Sequence, residues 1–257
     1  MKDAGWPRPI TDLAVNIAFC TRLPLAHVGR LVEGEIARAS WAMPVAGALV
    51  GAGAALAYAI AVRLGLPPSV AAALAIAAGM ALTGAMHEDG LADTADAMGG
   101  GDHARKLEIM HDSRLGTYGA CALVLSVLLR WAALASIARP GAVALALIAA
   151  HTAARATLPA VMALVPPARS DGLAASFGAP PREVAAVAAV LGALALVQCL
   201  GFGAGLLAAV LLGAAAVAVA RLSMKAIGGQ TGDVLGAFEQ VGEVLVLLVA
   251  VGSGVRA

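Results

Sequence analysis

Long apolar runs alternate with short polar islands along this chain. The runs fall at about 41–64, 69–86, 115–138, 141–165, 184–201, 203–220 and 234–253. Each is near the ~20 residues an α-helix needs to cross ~30 Å of hydrocarbon. Backbone polar groups must be paired internally against lipid, so the runs are read as helices. The pattern predicts an all-α fold: a polytopic integral membrane helical bundle with six or seven transmembrane helices, forming a single domain over 1–257. The count turns on 184–201 and 203–220, which only Gly201 and Gly203 punctuate. Gly47 and Gly51 have the spacing of a close helix-packing motif, although a Gly-rich chain also produces that spacing by chance. Residues 10–25 are apolar but short and carry Asp12, Asn16 and Arg22. The segment 1–40 is therefore expected to be interfacial or re-entrant, with no signal-peptide pattern.

Composition agrees with a membrane protein. Apolar residues make up 61% and charged residues 13%, about half the usual quarter, and mean hydropathy is +0.88. This excludes a soluble enzyme, a disordered chain and a nucleic-acid module. The net charge of +1 says nothing about partners. Cys20, Cys121 and Cys199 lie far apart in apolar contexts and are read as buried, inert thiols. Lys and Arg set the orientation. With seven spans and the N-terminus inside, 12 of the 17 fall on the inner side. Only Arg63, Arg139 and Arg256 fall outside, and Arg130 and Arg155 lie within spans. The loops 87–114, 166–183 and 221–233 are thus expected to face the cytoplasm.

The first of these loops is acidic. Seven of the chain's 16 acids lie in 87–114, and Asp89, Asp93 and Asp96 are spaced i, i+4, i+7, which puts them on one helical face. Three carboxylates on one face repel unless a cation neutralises them, and Mg²⁺ suits such a cluster. His87, His103 and His111 nearby match no zinc spacing. A second island, Gly228-Gly229-Gln230-Thr231-Gly232-Asp233, precedes the last run. Its glycines let the backbone approach a ligand, and a helix N-terminus there attracts phosphate. Asp233 is read as either a helix cap or a further metal ligand. Glu239 and Glu243, and Arg155 in the fourth run, are intramembrane charges and hence functional candidates. Arg155 could pair with one of the two or bind phosphate. Arg22 and Arg169 are further candidate anion contacts, or interfacial anchors. The residues alone thus point to a membrane-embedded, metal-dependent enzyme acting from the cytoplasm on a phosphorylated or diphosphate substrate.

Residues 87–96, His-Glu-Asp-Gly-Leu-Ala-Asp-Thr-Ala-Asp, and 107–119, Leu-Glu-Ile-Met-His-Asp-Ser-Arg-Leu-Gly-Thr-Tyr-Gly, closely resemble the cobalamin synthases, the adenosylcobinamide-GDP ribazoletransferases. The likeness extends to Thr21–Pro24, Trp41–Gly47, Arg155, the 168–177 loop, and Gly232–Ala237 with Glu243. Glu88, Ala97 and Glu239 depart from the pattern. The resemblance implies joining of α-ribazole, or its 5′-phosphate, to adenosylcobinamide-GDP, with release of GMP, at the bacterial inner membrane and with Mg²⁺. On this resemblance Asp89, Asp93, Asp96 and Asp112 are catalytic candidates, any one of which could take the hydroxyl proton. Asp89, Asp93, Asp96, Asp233 and Glu243 are candidate metal ligands. Arg22, Arg114, Arg155, Arg169, Thr231 and Gly232 are candidate substrate contacts. A homo-oligomer is compatible with the sequence, and no nucleic-acid partner is expected. The rival readings are a CDP-alcohol-type phosphotransferase, whose fuller Asp pattern is absent, an intramembrane prenyltransferase, and a transporter. A transporter calls for mid-span polar groups and an internal repeat.

Overall fold

The computed structural model describes residues 8–24, 34–170 and 172–255. Lys2, Arg30 and Arg256, which enter the charge asymmetry, lie outside the described residues. The described chain is all-α. Helix α1 (Arg8–Cys20) is followed by α2 (Glu35–Ala39), which passes through a 3₁₀ turn at Ser40–Ala42 into α3 (Met43–Arg63). Then come α4 (Pro68–Thr83), α5 (Met86–Ala97), α6 (His103–Ile109), α7 (Thr117–Ile137) and α8 (Pro140–Leu164). The chain closes with α9 (Leu173–Phe177), α10 (Arg182–Leu200), α11 (Phe202–Ile227) and α12 (Gly232–Ser253). Among the described residues six helices are long and apolar enough to cross a membrane: the continuous stretch 35–63, α7, α8, α10, α11 and α12. The pair α4 and α5 meets at 91° and forms a broken seventh span or a re-entrant element. The protein is therefore a multi-pass membrane bundle.

Proline and glycine set the boundaries. Pro44, Pro68 and Pro140 stand in the first turns of α3, α4 and α8, where a missing N–H costs nothing. Gly201, with φ of 82°, separates α10 from α11, so 184–220 is two helices. Helix α11 runs on to Ile227, and the polar segment expected at 221–233 shrinks to a short turn at 228–231. The segment expected as the loop 87–114 is largely helical, as α5 and α6.

Helices α8 and α12 form the buried centre, while α7, α10 and α11 turn most of their surface outward. Exposed Leu125, Leu128, Val190, Leu194 and Val210 are suited to lipid. The Gly47–Gly51 spacing is used: a Cβ on Gly51 would lie 2.7 Å from the Leu147 carbonyl oxygen, so α3 packs backbone to backbone on α8. One end of the bundle is nearly featureless. There the Tyr58 hydroxyl donates to the Ala138 carbonyl (3.0 Å) and Arg139 to the Val255 carbonyl (2.5 Å). The other end gathers α1, α2, α5, α6, α9 and the starts of α7 and α12. Helix α1 docks there through Asn16, whose amide donates to the Ala39 carbonyl (2.6 Å), and through Asp12, which accepts from Trp41 (2.9 Å) and pairs with Arg38. The three cysteines are free, but only Cys20 is buried. Cys199 is half-buried, and Cys121 faces out from α7, where a lipid-facing thiol needs no packing partner.

Candidate active site

The polar end is built around the elbow between α4 and α5. Gly84 and Ala85 both adopt left-handed backbone (φ 69° and 56°), which turns α5 across the bundle. The Arg22 backbone N–H donates to the Leu82 carbonyl (2.7 Å), and its side chain lies over Gly84, where a Cβ would collide with it. Arg22 therefore buttresses the elbow. Helix α5 then lies against the start of α12. A Cβ on Gly90 would stand 2.8 Å from the Asp233 carbonyl oxygen, and one on Gly236 3.3 Å from the His87 Cα. Two glycines thus let α5 and α12 touch backbone to backbone, which brings Asp233 to the acidic face of α5.

The three aspartates of that face separate in role. The Asp96 carboxylate accepts from the backbone N–H groups of Gly116 (2.7 Å) and Gly119 (2.8 Å) and so anchors the start of α7. Side chains at Gly116 or Gly119 would strike it. With one backbone N–H on each oxygen, Asp96 carries a structural role that Asp89 and Asp93 lack, and it keeps a lone pair on each oxygen. Asp89 and Asp93 make no hydrogen bond or ion pair with any side chain among the described residues. Asp93 is partly buried and stands among the carboxylates of Asp89, Asp233 and Asp96. All of its close charged neighbours are negative, an arrangement that a bound cation relieves. Asp89, Asp93 and Asp233 are hard oxygen donors of the kind Mg²⁺ prefers, although the three-residue group among the described residues whose ligand atoms already lie within 4.8 Å of one another is His151, Glu239 and Glu243, so the aspartates would have to draw together around an ion.

Two cationic residues face this acidic patch. Arg114 forks onto Asp112, with its Nε 3.0 Å from both carboxylate oxygens, and this pairing holds Asp112 down at about 2. Both side chains are exposed enough to exchange that pairing for a phosphate. Arg169 donates to His111 of the α6–α7 connection and lies close enough to Asp233 to act on its charge. Its loop is tied to the turn before α12: the Ala168 N–H donates to the Gln230 carbonyl (2.9 Å), and the Gln230 N–H to the Pro166 carbonyl (2.8 Å). A side chain at Gly229 would sit 2.7 Å from the Ala168 nitrogen, so glycine is required there. Thr231 caps α12, accepting from the Val234 N–H (3.2 Å) and donating to Asp233 (3.3 Å). It is buried, whereas Gly232 has an open face. A cleft of about 520 Å³ runs along Asp89, Asp93, His111, Asp112, Ser113 and Arg114.

The intramembrane charges belong elsewhere. Glu243 lies ten residues beyond Asp233 on α12, about 15 Å along a helix, so the two cannot share one ion. Glu243 accepts from Arg155 (3.0 Å) and Arg130 (3.3 Å) and pairs with His151, and Arg130 also holds Glu88 (3.1 Å). Arg155 pairs in addition with Glu239 and donates to His87 (3.2 Å). At 1% exposure, Arg155 is a buried counter-ion and not a substrate contact. Glu239 accepts from Gln240 (3.1 Å), which accepts from Ser126 (3.1 Å). His151, Glu239 and Glu243 bring ligand atoms within 4.8 Å of one another, but the Arg155 guanidinium already supplies positive charge between the two carboxylates. Sequence reasoning missed Arg130, His151, His87 and Glu88 as partners in this network. Their presence inside or beside apolar runs was the available signal. Of the other histidines, His103 donates to the Lys225 carbonyl (3.1 Å), so the three early histidines do not converge.

With this geometry in place, comparison with known proteins is specific. A family model described as cobalamin-5-phosphate synthase matches residues 12–251. A protein of Bradyrhizobium diazoefficiens named adenosylcobinamide-GDP ribazoletransferase is 58% identical over 242 residues, covering 94% of this chain and 93% of that one. Proteins of the same name from Mesorhizobium japonicum and Azorhizobium caulinodans are 51% and 45% identical. They cover 95% and 94% of this chain, and 94% and 95% of their own lengths. No solved structure matches the chain.

Proposed function

Because the chain belongs to the cobalamin-5-phosphate synthase family, we propose that it is an adenosylcobinamide-GDP ribazoletransferase acting by way of the acidic face of α5. It joins α-ribazole or its 5′-phosphate to adenosylcobinamide-GDP. The products are adenosylcobalamin or its 5′-phosphate, and GMP. The supporting observation is the backbone contact of Gly90 with Asp233, which sets unpartnered Asp89 and Asp93 beside a third carboxylate and opposite Arg114 and Arg169.

In the reaction, a ribose hydroxyl oxygen forms a bond to the phosphorus on the cobinamide side. The bond from that phosphorus to the bridging oxygen breaks, and GMP leaves. Asp89, Asp93 and Asp233 would hold Mg²⁺, which when bound would supply charge neutralisation for the diphosphate and the departing phosphate. Arg114 and Arg169 orient the diphosphate by two-pronged contacts, Arg114 giving up its fork on Asp112 to do so. Asp89 or Asp93 takes the hydroxyl proton. Asp96 acts indirectly, by fixing the start of α7 and hence the segment that carries Arg114. We further propose that the polar end faces the cytoplasm of a bacterial inner membrane, as the 12-to-3 distribution of Lys and Arg supports.

The test uses purified membranes or the detergent-solubilised protein. Label in α-ribazole should appear in cobalamin only when adenosylcobinamide-GDP and Mg²⁺ are both present. Transfer that is unaffected by chelation would remove the metal from the reading, and no transfer at all would remove the activity.

A further inference from the structure

A second, apolar cavity of about 180 Å³ lies beside the acidic cleft. A single water needs only about 10–15 Å³, so the space is sized for part of a small organic molecule. Phe19, Met43, Met86, Leu158, Met162 and Phe177, from five helices, supply most of its wall. Phe19 and Phe177 stand edge to face, with ring centres 4.9 Å apart and planes at 88°, leaving an aromatic surface on one side. The three methionines are soft and adaptable fillers of the remainder. The charged and ionisable lining groups are His87, Asp89 and Asp233.

Asp89 lines both cavities. The cleft that carries Arg114 suits a diphosphate, and the apolar cavity offers nothing to a phosphate. The two clefts therefore divide the substrates by chemistry, with a carboxylate at their junction. We infer that the apolar cavity holds the flat, apolar heteroaromatic base of the nucleoside acceptor, with its ribose at the cavity mouth beside Asp89. This inference rests on the ribazoletransferase reading and deepens it: the phosphorylated donor and the nucleoside approach Asp89 from opposite sides. The donor's corrinoid ring is far too large for this space, and the cavity is continuous with the carboxylates, as the acceptor hydroxyl requires. Met162 and Leu158, both on α8, set the floor, so their size sets affinity for the base.

The experiment measures α-ribazole binding to the detergent-solubilised protein by equilibrium dialysis, together with steady-state kinetics for both substrates. Met162→Trp and Leu158→Trp fill the cavity. Each should raise the Kd and KM for α-ribazole about tenfold or more, while the KM for adenosylcobinamide-GDP stays within about twofold. The milder Met162→Phe should produce a smaller change in the same direction, and is read if a Trp variant fails to melt cooperatively. Unchanged α-ribazole affinity in a variant that melts like the wild type would overturn the inference. So would equal loss for both substrates, or a bound lipid in the cavity that α-ribazole does not displace. Turnover by the wild type tests the reaction separately: if it fails, the activity falls, whereas selective loss in the variants reports on the cavity alone.

Discussion

At the scale of single residues, the acidic face divides into carboxylates that hold structure and carboxylates left free. Asp89→Asn and Asp93→Asn should each abolish transfer while the protein still inserts and melts normally, because neither side chain supports a neighbour. Asp96→Ala should behave differently. It removes two hydrogen bonds to a charged acceptor, worth about 1.5–3 kcal/mol each when buried, and Asp96 is only partly so. The expected result is a lower melting temperature and a partial loss of kcat, with Asp96→Asn intermediate. If Asp96→Ala melted like the wild type, the anchoring role would be lost. If Asp93 is a ligand, Mg²⁺ should raise the melting temperature of the wild type and Asp93→Asn should shrink that rise, because one carboxylate of the cluster is gone. A Mg²⁺ shift of equal size in the variant would contradict the assignment. Arg114→Lys replaces a planar fork with a point charge, and should raise the KM for the GDP-activated substrate about tenfold with little change for α-ribazole. Equal loss for both would argue against a diphosphate contact.

At the scale of elements, two helix contacts decide whether a site exists. Helix α5 meets α12 at Gly90 and Gly236, and α4 turns into α5 at two left-handed residues. Gly90→Ala adds a methyl 2.8 Å from a backbone oxygen, where neither helix end can yield cheaply. It should cut transfer at least as severely as loss of one carboxylate while leaving insertion intact. Near-normal turnover would show that the close contact is dispensable. Much at this level was legible beforehand. The runs of apolar residues mark the spans because lipid forces backbone pairing, and the i, i+4, i+7 spacing puts three aspartates on one face. What the sequence hid were partners distant in the chain. Asp96 finds backbone groups 20 and 23 residues later, so nothing local distinguishes it from Asp93. Glu243 and Arg155 stand out as intramembrane charges, but spacing does not reveal that they serve each other across 88 residues. The elbow was hidden too: α4 has 16 residues, and its apolar run continues to Met86 past the turn at Gly84.

At the scale of the whole molecule, all the polar connections gather at one end while the other end is sealed by short turns. A buried network containing Glu88, Glu239, Glu243, Arg130 and Arg155 lies beneath the site. It ties α5, α7, α8 and α12 into one body, so that the carboxylates above it have a rigid floor. Charged groups without lipid-facing exposure are costly unless mutually paired, which explains why these four helices cannot separate freely. The surface above needs access to a nucleotide-activated substrate, and the Lys and Arg distribution supports the proposal that this surface faces the cytoplasm. Impermeant thiol labelling checks this in a background lacking Cys20, Cys121 and Cys199. Cysteines at Ser113, Ser170 and Lys225 are suitable reporters because all three positions are exposed at the polar end, unlike buried Thr231. All three should react from the cytoplasmic side only, and a cysteine at Leu64, 74% exposed at the opposite end, from the outer side only. Reaction of any polar-end cysteine in intact spheroplasts would place the carboxylates across the membrane from their nucleotide-activated substrate, and the single-site mechanism could not then operate.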